Sequence, residues 1–351
     1  MYIREAMPED NEELQELQAK CPQGTTLIVS VVNTPDFFAR VKAYESYKVY
    51  VACENRRIIG SAACAIRDAV VKGNVHHVGH QFQLFVSPEY RRKGVASQLH
   101  QHREDYLTQQ GVVLSYALIM EGNIPSMRYA LRQGFKLHRT LVMPGLVVFK
   151  EMDVESKGRV RPITSEDFEA VAGLLNETWQ GFQLYEPTSA DALAQFINRT
   201  PAYNFDNLFV LEDQGEILAS LGFWDWSQVM RITVETLSLK MRMFGLLLDI
   251  ARIFRSAPRF LKPGDTLKQM MLTPIGFKDP AYLAVLLRYV NNQALRRGIE
   301  QMFCVCERDH VLLNSMKGFI RIDTAMNLYI KSIQENGLMA NKPVFIDGID
   351  I

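Results

Sequence analysis

The sequence has no excess of charge of either sign: 39 Lys+Arg balance 39 Asp+Glu over 351 residues. It therefore lacks the basic bias that a nucleic-acid backbone selects, and no nucleic-acid partner is expected. Cysteine is scarce, and the five present (Cys21, Cys53, Cys64, Cys304 and Cys306) are odd in number and form no CxxC pair. That excludes a disulfide framework and a zinc-type ligand set, so no metal is expected, and reduced thiols suit a cytoplasmic protein. Long hydrophobic runs are also missing. Charge interrupts every apolar stretch before the ~20 residues that a membrane helix needs, and Met1 to Asp10 lacks the basic and apolar regions of an export signal.

Hydrophobic residues make up 48% of the chain and charged residues 22%, enough for a sizeable core. The length exceeds what one core usually supports, so two domains are expected. Self-comparison supplies the boundary. Ile3 to Asp10, followed by a helical run to Gln23-Gly24, recurs as Val160 to Asp167, followed by a run to Gln180-Gly181. The strand-turn-strand pattern of Val49 to Ser61 recurs as Leu208 to Ser220, and Gly134-Phe135 recurs as Gly318-Phe319. Two homologous units follow, residues 1–155 and 159–333, with a polar linker at Asp153 to Gly158 and a C-terminal tail at 334–351.

In the first unit, periodicity predicts an extended start, a helix from about Pro8 to Lys20, and a hairpin over Val49 to Cys53 and Ile58 to Ile66. It then predicts a strand over Gln81 to Val86, a helix over Val95 to Gln109, a strand over Val112 to Met120 and a helix over Ile124 to Gln133. A final pair of strands is expected within Phe135 to Phe149. The fold class is α/β, each unit a twisted mixed sheet flanked by helices.

The segment Ser87-Pro88-Glu89-Tyr90-Arg91-Arg92-Lys93-Gly94-Val95-Ala96 connects a strand to a helix and is suited to hold a phosphate. First-turn amides have no intrahelical acceptor, the helix dipole puts positive potential there, and Gly94 and Ala96 keep bulk away from an anion. Arg91, Arg92 and Lys93 add positive field. Here the sequence resembles the GNAT family of N-acetyltransferases, whose Gln/Arg-x-x-Gly-x-Gly/Ala signature Arg91 to Ala96 matches. Val86-Ser87-Pro88 ahead of it, and Asn123, Ser126 and Gly134-Phe135 behind it, match the family's order.

The resemblance implies acetyl-CoA as co-substrate. Backbone groups of Leu84, Phe85 and Val86 would pair with pantetheine, amides of Arg92 to Ser97 (Arg92, Lys93, Gly94, Val95, Ala96, Ser97) would hold the pyrophosphate, and Asn123 and Ser126 would lie near the thiol. The acceptor would be an amine-bearing small molecule or peptide. The family's base often lies on the strand before the phosphate turn, and His80 is the titratable residue at that place, with an ordinary pKa near ~6.5 suited to neutral pH; His76 and His77 are less well placed. The family's usual acid, a Tyr seven residues after the Asn, falls on Ala130; the neighbouring Tyr129, or Tyr116, is the substitute. A second reading is a non-catalytic acetyl-CoA-binding regulator that engages a partner through its second unit. A homodimer is compatible with either.

In the second unit, aligning the helices before Gly111 and Gly298 sets Ala281 opposite Gly94 and Leu283 opposite Ala96, so the phosphate turn is missing and that unit is expected to be degenerate. Lys240 to Lys262 reads as an amphipathic basic helix. Trp224 and Trp226 are expected to alternate on one strand, one facing a groove.

Overall fold

The structure is a computed structural model and describes residues 1–24, 26–241, 243, 259–334 and 339–351. In the first unit, β1 (Tyr2–Glu5) leads to α1 (Asn11–Ala19), β2 (Leu27–Asn33), β3 (Ser46–Glu54), β4 (Arg57–Val71) and β5 (Asn74–Val86). Then follow α2 (Val95–Gln109), β6 (Leu114–Met120), α3 (Ile124–Arg132) and β7 (Lys136–Val147). The rest of the chain, the second unit, runs through β8 (Arg159–Pro162), α4 (Phe168–Thr178), α5 (Ala190–Arg199), β9 (Leu208–Asp213), β10 (Glu216–Asp225), β11 (Met230–Leu237), β12 (Thr266–Leu267), β13 (Gln269–Phe277), α6 (Pro280–Arg296), β14 (Gln301–Phe303) and β15 (Arg321–Ser332). Among the described residues no helix is long and apolar enough to cross a membrane.

The repeated entry motif has one physical job in both units. Arg4 grips Asp10 with two nitrogens at 2.6 and 2.8 Å, and Arg161 grips Asp167 at the same two distances. Each carboxylate also accepts a backbone N–H at 2.7 Å, from Met7 and from Thr164. A bidentate fork that also satisfies a helix-entry amide fixes the corner between the first strand and the first helix. The repeated exit glycines, Gly134 at φ +87° and Gly318 at φ +94°, sit in the left-handed region where a Cβ costs energy.

The strands form one 12-stranded sheet in the order β1-β3-β4-β5-β6-β15-β7-β14-β13-β10-β9-β8. This corrects the expected pair of strands after Gly134-Phe135. Residues 136–147 make a single strand, and Pro144-Gly145 does not turn the chain back. A Cβ at Gly145 would meet the Phe303 ring at 2.7 Å, so glycine is there to let two strands approach. The missing neighbour comes from the other half: β15 pairs antiparallel with β6, from Met326 opposite Met120 to Ser332 opposite Leu114, and β7 pairs with β14. Each unit thus lends its last strand to the other, and β15 and β7 pair with each other at the centre. A second, three-stranded sheet also joins the halves, with β2 paired to β11.

The core follows the sheet across the boundary between the units. One buried cluster includes Leu14, Val51, Leu141, Leu184, Leu208 and Leu328. Trp224 and Trp226 both belong to it, and Trp224 donates its indole N–H to the Pro201 carbonyl at 2.8 Å. They do not alternate on one strand, because β10 ends at Asp225 and Trp226 opens a 3-10 turn. Of the basic segment 240–262, residues 242 and 244–258 lie outside the described residues.

Candidate active site

Strands β5 and β6 run parallel only where Val78–His80 face Leu114–Tyr116. Beyond that they part: β5 stays with β4, β6 stays with β15, and a bulge at Gln83 (φ +50°) bends β5 where its register with β4 shifts. The parting leaves the inner edge of Gln81 to Val86 without a ladder partner, and Leu84, Phe85 and Val86 lie on it. Asn123 sits just past the end of β6, where its side-chain oxygen accepts from Ser126 N–H at 3.3 Å and caps α3.

The end of β5 delivers the chain into the basic turn. Arg92 has φ +63° and Gly94 φ +85°, and Gly94 is the N-cap of α2. A Cβ built at Gly94 meets nothing within 4 Å, so the left-handed backbone requires the glycine and the space above it is open. The first intrahelical bond runs from Gln98 N–H to Gly94 C=O at 3.1 Å. Among the described residues the amides of Val95, Ala96 and Ser97 have no acceptor, which makes a ready anion site. Arg91 donates to the Val86 carbonyl at 3.2 Å, and Lys93 lies 4.8 Å from the centre of the Tyr90 ring. Both keep exposed charge near the turn.

Helix α3 is fastened to this first turn of α2. The Tyr129 hydroxyl donates to the Ala96 carbonyl at 2.9 Å, and Gln133 donates to the Ser97 hydroxyl at 3.2 Å. Ala130, one residue on, is buried against Ile119, Phe135 and Tyr329. The ~100° rotation between neighbouring helix positions therefore turns residue 130 into the core and residue 129 toward the turn.

His80 lies on the opposite face of β5 from α2. Its ring is stacked between Phe82 at 4.6 Å and Tyr116 at 4.8 Å, and it is 1% exposed. The expected ordinary pKa is corrected here: burial, then the Arg40, Arg67 and Arg103 charges, hold the imidazole well below its usual range. His80 is neutral at pH 7. Its Nδ1 lies 2.9 Å from the Tyr44 hydroxyl and 3.8 Å from an Asp350 oxygen. Tyr44 also contacts Asp350 at 2.9 Å and the Ile349 carbonyl at 3.0 Å, and Arg67 pairs with Asp350 at 3.3 Å. The Tyr116 hydroxyl is buried and has no partner among the described residues. His77 pairs with Asp68 at the far, exposed end of β5, away from this cluster.

Tyr44 and Asp350 were not legible as site residues, because the last residues read only as a tail. In fact Val344, Ile346 and Ile349 are buried, and a Cβ at Gly348 would meet Met271 at 2.6 Å. The alternation of these apolar residues with Asp347 and Asp350 was the available signal.

The second unit has the same wedge, but its own chain fills it. Strands β13 and β14 pair only over Gln269–Met271 and Gln301–Phe303. Trp179, Phe345 and Ile346 occupy the space beyond, leaving a void of about 10 Å³. The Trp179 indole donates to the Ile275 carbonyl at 2.7 Å, and Thr273 donates to Asp347 at 2.8 Å. Counting back from Gly298 places Ala281, the counterpart of Gly94, inside α6, which starts earlier than α2. The Asp279 side chain accepts from Ala281 N–H at 2.7 Å, so a carboxylate already occupies that helix entrance. Among the described residues no group of three or more His, Cys, Asp or Glu is arranged to hold a metal.

Residues 11–135 match the family described as Acetyltransferase (GNAT) family. No curated protein matches the chain significantly. Among solved structures, an N-myristoyltransferase of Saccharomyces cerevisiae with bound myristoyl-CoA and inhibitors is similar over 98% of this chain and 86% of that one, at TM-score 0.66 and 11% identity. A GCN5-related N-acetyltransferase from Sphaerobacter thermophilus is similar over 95% and 96%, at TM-score 0.55 and 12% identity. One from Anabaena variabilis is similar over 95% and 73%, at TM-score 0.54 and 13% identity. At these identities the likeness is one of fold, and it extends across both units.

Proposed function

We propose, from the match of residues 11–135 to the GNAT acetyltransferase family model, that the chain transfers an acetyl group from acetyl-CoA to a primary amine. The observation that carries this reading is the uncapped first turn of α2 at Gly94, open above and flanked by Arg91, Arg92 and Lys93. It fits a pyrophosphate held by backbone amides, with the side of Leu84 to Val86 that has no neighbouring strand open to pantetheine amides once the Arg91 side chain releases the Val86 carbonyl. Acetyl-CoA supplies the activated acyl group. The second unit is read as degenerate, one site per chain, because Asp279 and the Trp179–Phe345 plug fill its equivalents of both features.

In this reading His80 is the general base. Held neutral, it offers a lone pair to the proton that the attacking amine loses as the N–C bond forms. The C–S bond then breaks and the thiolate leaves with CoA. Tyr129 keeps its hydroxyl on Ala96, so its first effect is to hold the phosphate turn; donation to the thiolate is the further role to be tested. The acceptor is an amine-bearing small molecule or a peptide. The burial of His80 favours the second reading, an acetyl-CoA-binding regulator, which binds the cofactor without amine-dependent release of CoA. Release of free thiol measured against a panel of amines and peptides, with acyl-CoAs of increasing chain length, separates the two. Amine-dependent release that is fastest with acetyl-CoA supports the enzyme, and binding without release supports the regulator.

A further inference from the structure

We infer that Asp350, acting through the Tyr44 hydroxyl, fixes the tautomer of His80 so that Nδ1 carries the proton and Nε2 the lone pair. The inference rests on His80 being the base and makes Asp350 and Tyr44 positioning residues. The case begins with counting protons. The Tyr44 oxygen lies 2.9 Å from His80 Nδ1, 2.9 Å from Asp350 Oδ1 and 3.0 Å from the Ile349 carbonyl. A phenol has one proton to give, and a carboxylate and a carbonyl can only accept it. If Tyr44 gave that proton to Nδ1, two acceptor oxygens would face the phenol oxygen with nothing between them. Giving it to the Asp350–Ile349 side, where one O–H is shared between the carboxylate and the carbonyl oxygens, leaves the phenol oxygen to accept from Nδ1–H. Nε2, which has no protein partner among the described residues, is left unprotonated.

On the side away from Tyr44, two guanidinium groups flank Asp350. Arg67 pairs with its other oxygen at 3.3 Å, and Arg40 donates to the Asp350 backbone carbonyl at 3.3 Å. The charged and titratable groups around His80 are thus Tyr44, Tyr116, Arg40, Arg67, Arg103 and Asp350. Tyr44 is 4% exposed and Asp350 1%, so water does not compete for these bonds. The arrangement joins the far end of the chain to β5. Gly348 allows the close docking of this segment on β13, and Thr273 binds Asp347. A base on the first unit is therefore oriented by a segment that follows the second.

The test uses full-length protein and needs no variant for its first part. Ring ¹⁵N signals of His80, assigned by their loss in His80→Ala, should show a pyrrole-type Nδ1 and a pyridine-type Nε2 at pH 7. The reverse pattern overturns the inference. In Tyr44→Phe and Asp350→Asn the two nitrogens should move toward a mixed pattern. The turnover number should fall by about 10-fold or more, while the acetyl-CoA Michaelis constant stays within about threefold. Tyr44→Phe removes no charge, so it serves if Asp350→Asn does not fold. Unchanged ring signals and turnover in Tyr44→Phe overturn the relay. Wild-type turnover in His80→Ala instead overturns the base on which it rests, and leaves the ring pattern as a separate result.

Discussion

Truncation after residue 155 should leave a chain that does not fold on its own. The reason is the strand exchange, since the first unit then loses β15 from between β6 and β7, together with the segment that covers His80. The large buried side chains removed include Met326, Leu328, Tyr329, Ile330, Val344, Ile346 and Ile349, each at most 9% exposed. At roughly 1.5–3 kcal/mol for each buried side chain, their loss amounts to about 10–20 kcal/mol. Part of that is offset because the removed residues no longer lose conformational entropy. The remainder is still comparable with the whole stability of a domain, about 5–15 kcal/mol. The exposed edge of β6 would also offer unpaired amides to other chains. Circular dichroism, gel filtration and acetyl-CoA calorimetry on residues 1–155 should show an aggregated or unfolded chain without cofactor affinity. A monomeric, cooperatively unfolding and active fragment would refute the argument that the two halves share one core.

Three further outcomes follow from individual side chains. His80→Ala should lower turnover by about 10²-fold or more, with little change in acetyl-CoA affinity, and remove the acidic limb of the pH profile. Because the folded-state pKa of His80 is depressed, that limb lies below pH 6.5; an unaltered profile would return His80 to a packing role. Glu186 has its carboxyl pushed up to about 7, chiefly by burial, so it favours the folded state below its unfolded pKa and loses that contribution as pH rises toward 7. Glu186→Gln should therefore raise stability at pH 8 by up to about 3 kcal/mol, with the difference vanishing near pH 4, and equal denaturant midpoints at both pH values would contradict this. Tyr129→Phe should weaken acetyl-CoA binding several-fold by freeing the Ala96 carbonyl and loosening the turn. If turnover alone falls, Tyr129 is the proton donor and not a clamp.

The parts of the fold legible in the sequence are those encoded locally. Helix α2 lies at the expected Val95 to Gln109, because the glycine before it and the apolar spacing within it leave little choice. The Arg4–Asp10 and Arg161–Asp167 forks explain why the entry motif repeats at all. The exchange of β7 and β15 was not legible, since both strands follow a Gly-Phe in their own unit and nothing local says which edge they join. The basic turn that opens α2 was legible as a turn because the Arg91-Arg92-Lys93 run and the left-handed Gly94 lie in one short segment. The His80 cluster was not, because Tyr44 and Asp350 lie 36 residues before it and 270 after it in the chain. Its depressed pKa comes from burial and from arginines on other elements, which a strand pattern does not reveal.

The central claim is that Arg91 to Ser97 is the single acyl-CoA pyrophosphate site, and Gly94→Glu tests it most directly. A carboxylate about 5 Å from the phosphates costs about 3 kcal/mol per unit charge at an effective dielectric of 20. The left-handed backbone adds about 1–2 kcal/mol of strain that Gly94→Ala shares. Calorimetry with acetyl-CoA should give one site per chain in the wild type, affinity within a few-fold of it in Gly94→Ala, and a loss of at least 100-fold in Gly94→Glu. Two sites per chain, or unchanged affinity in a folded Gly94→Glu protein, would contradict it.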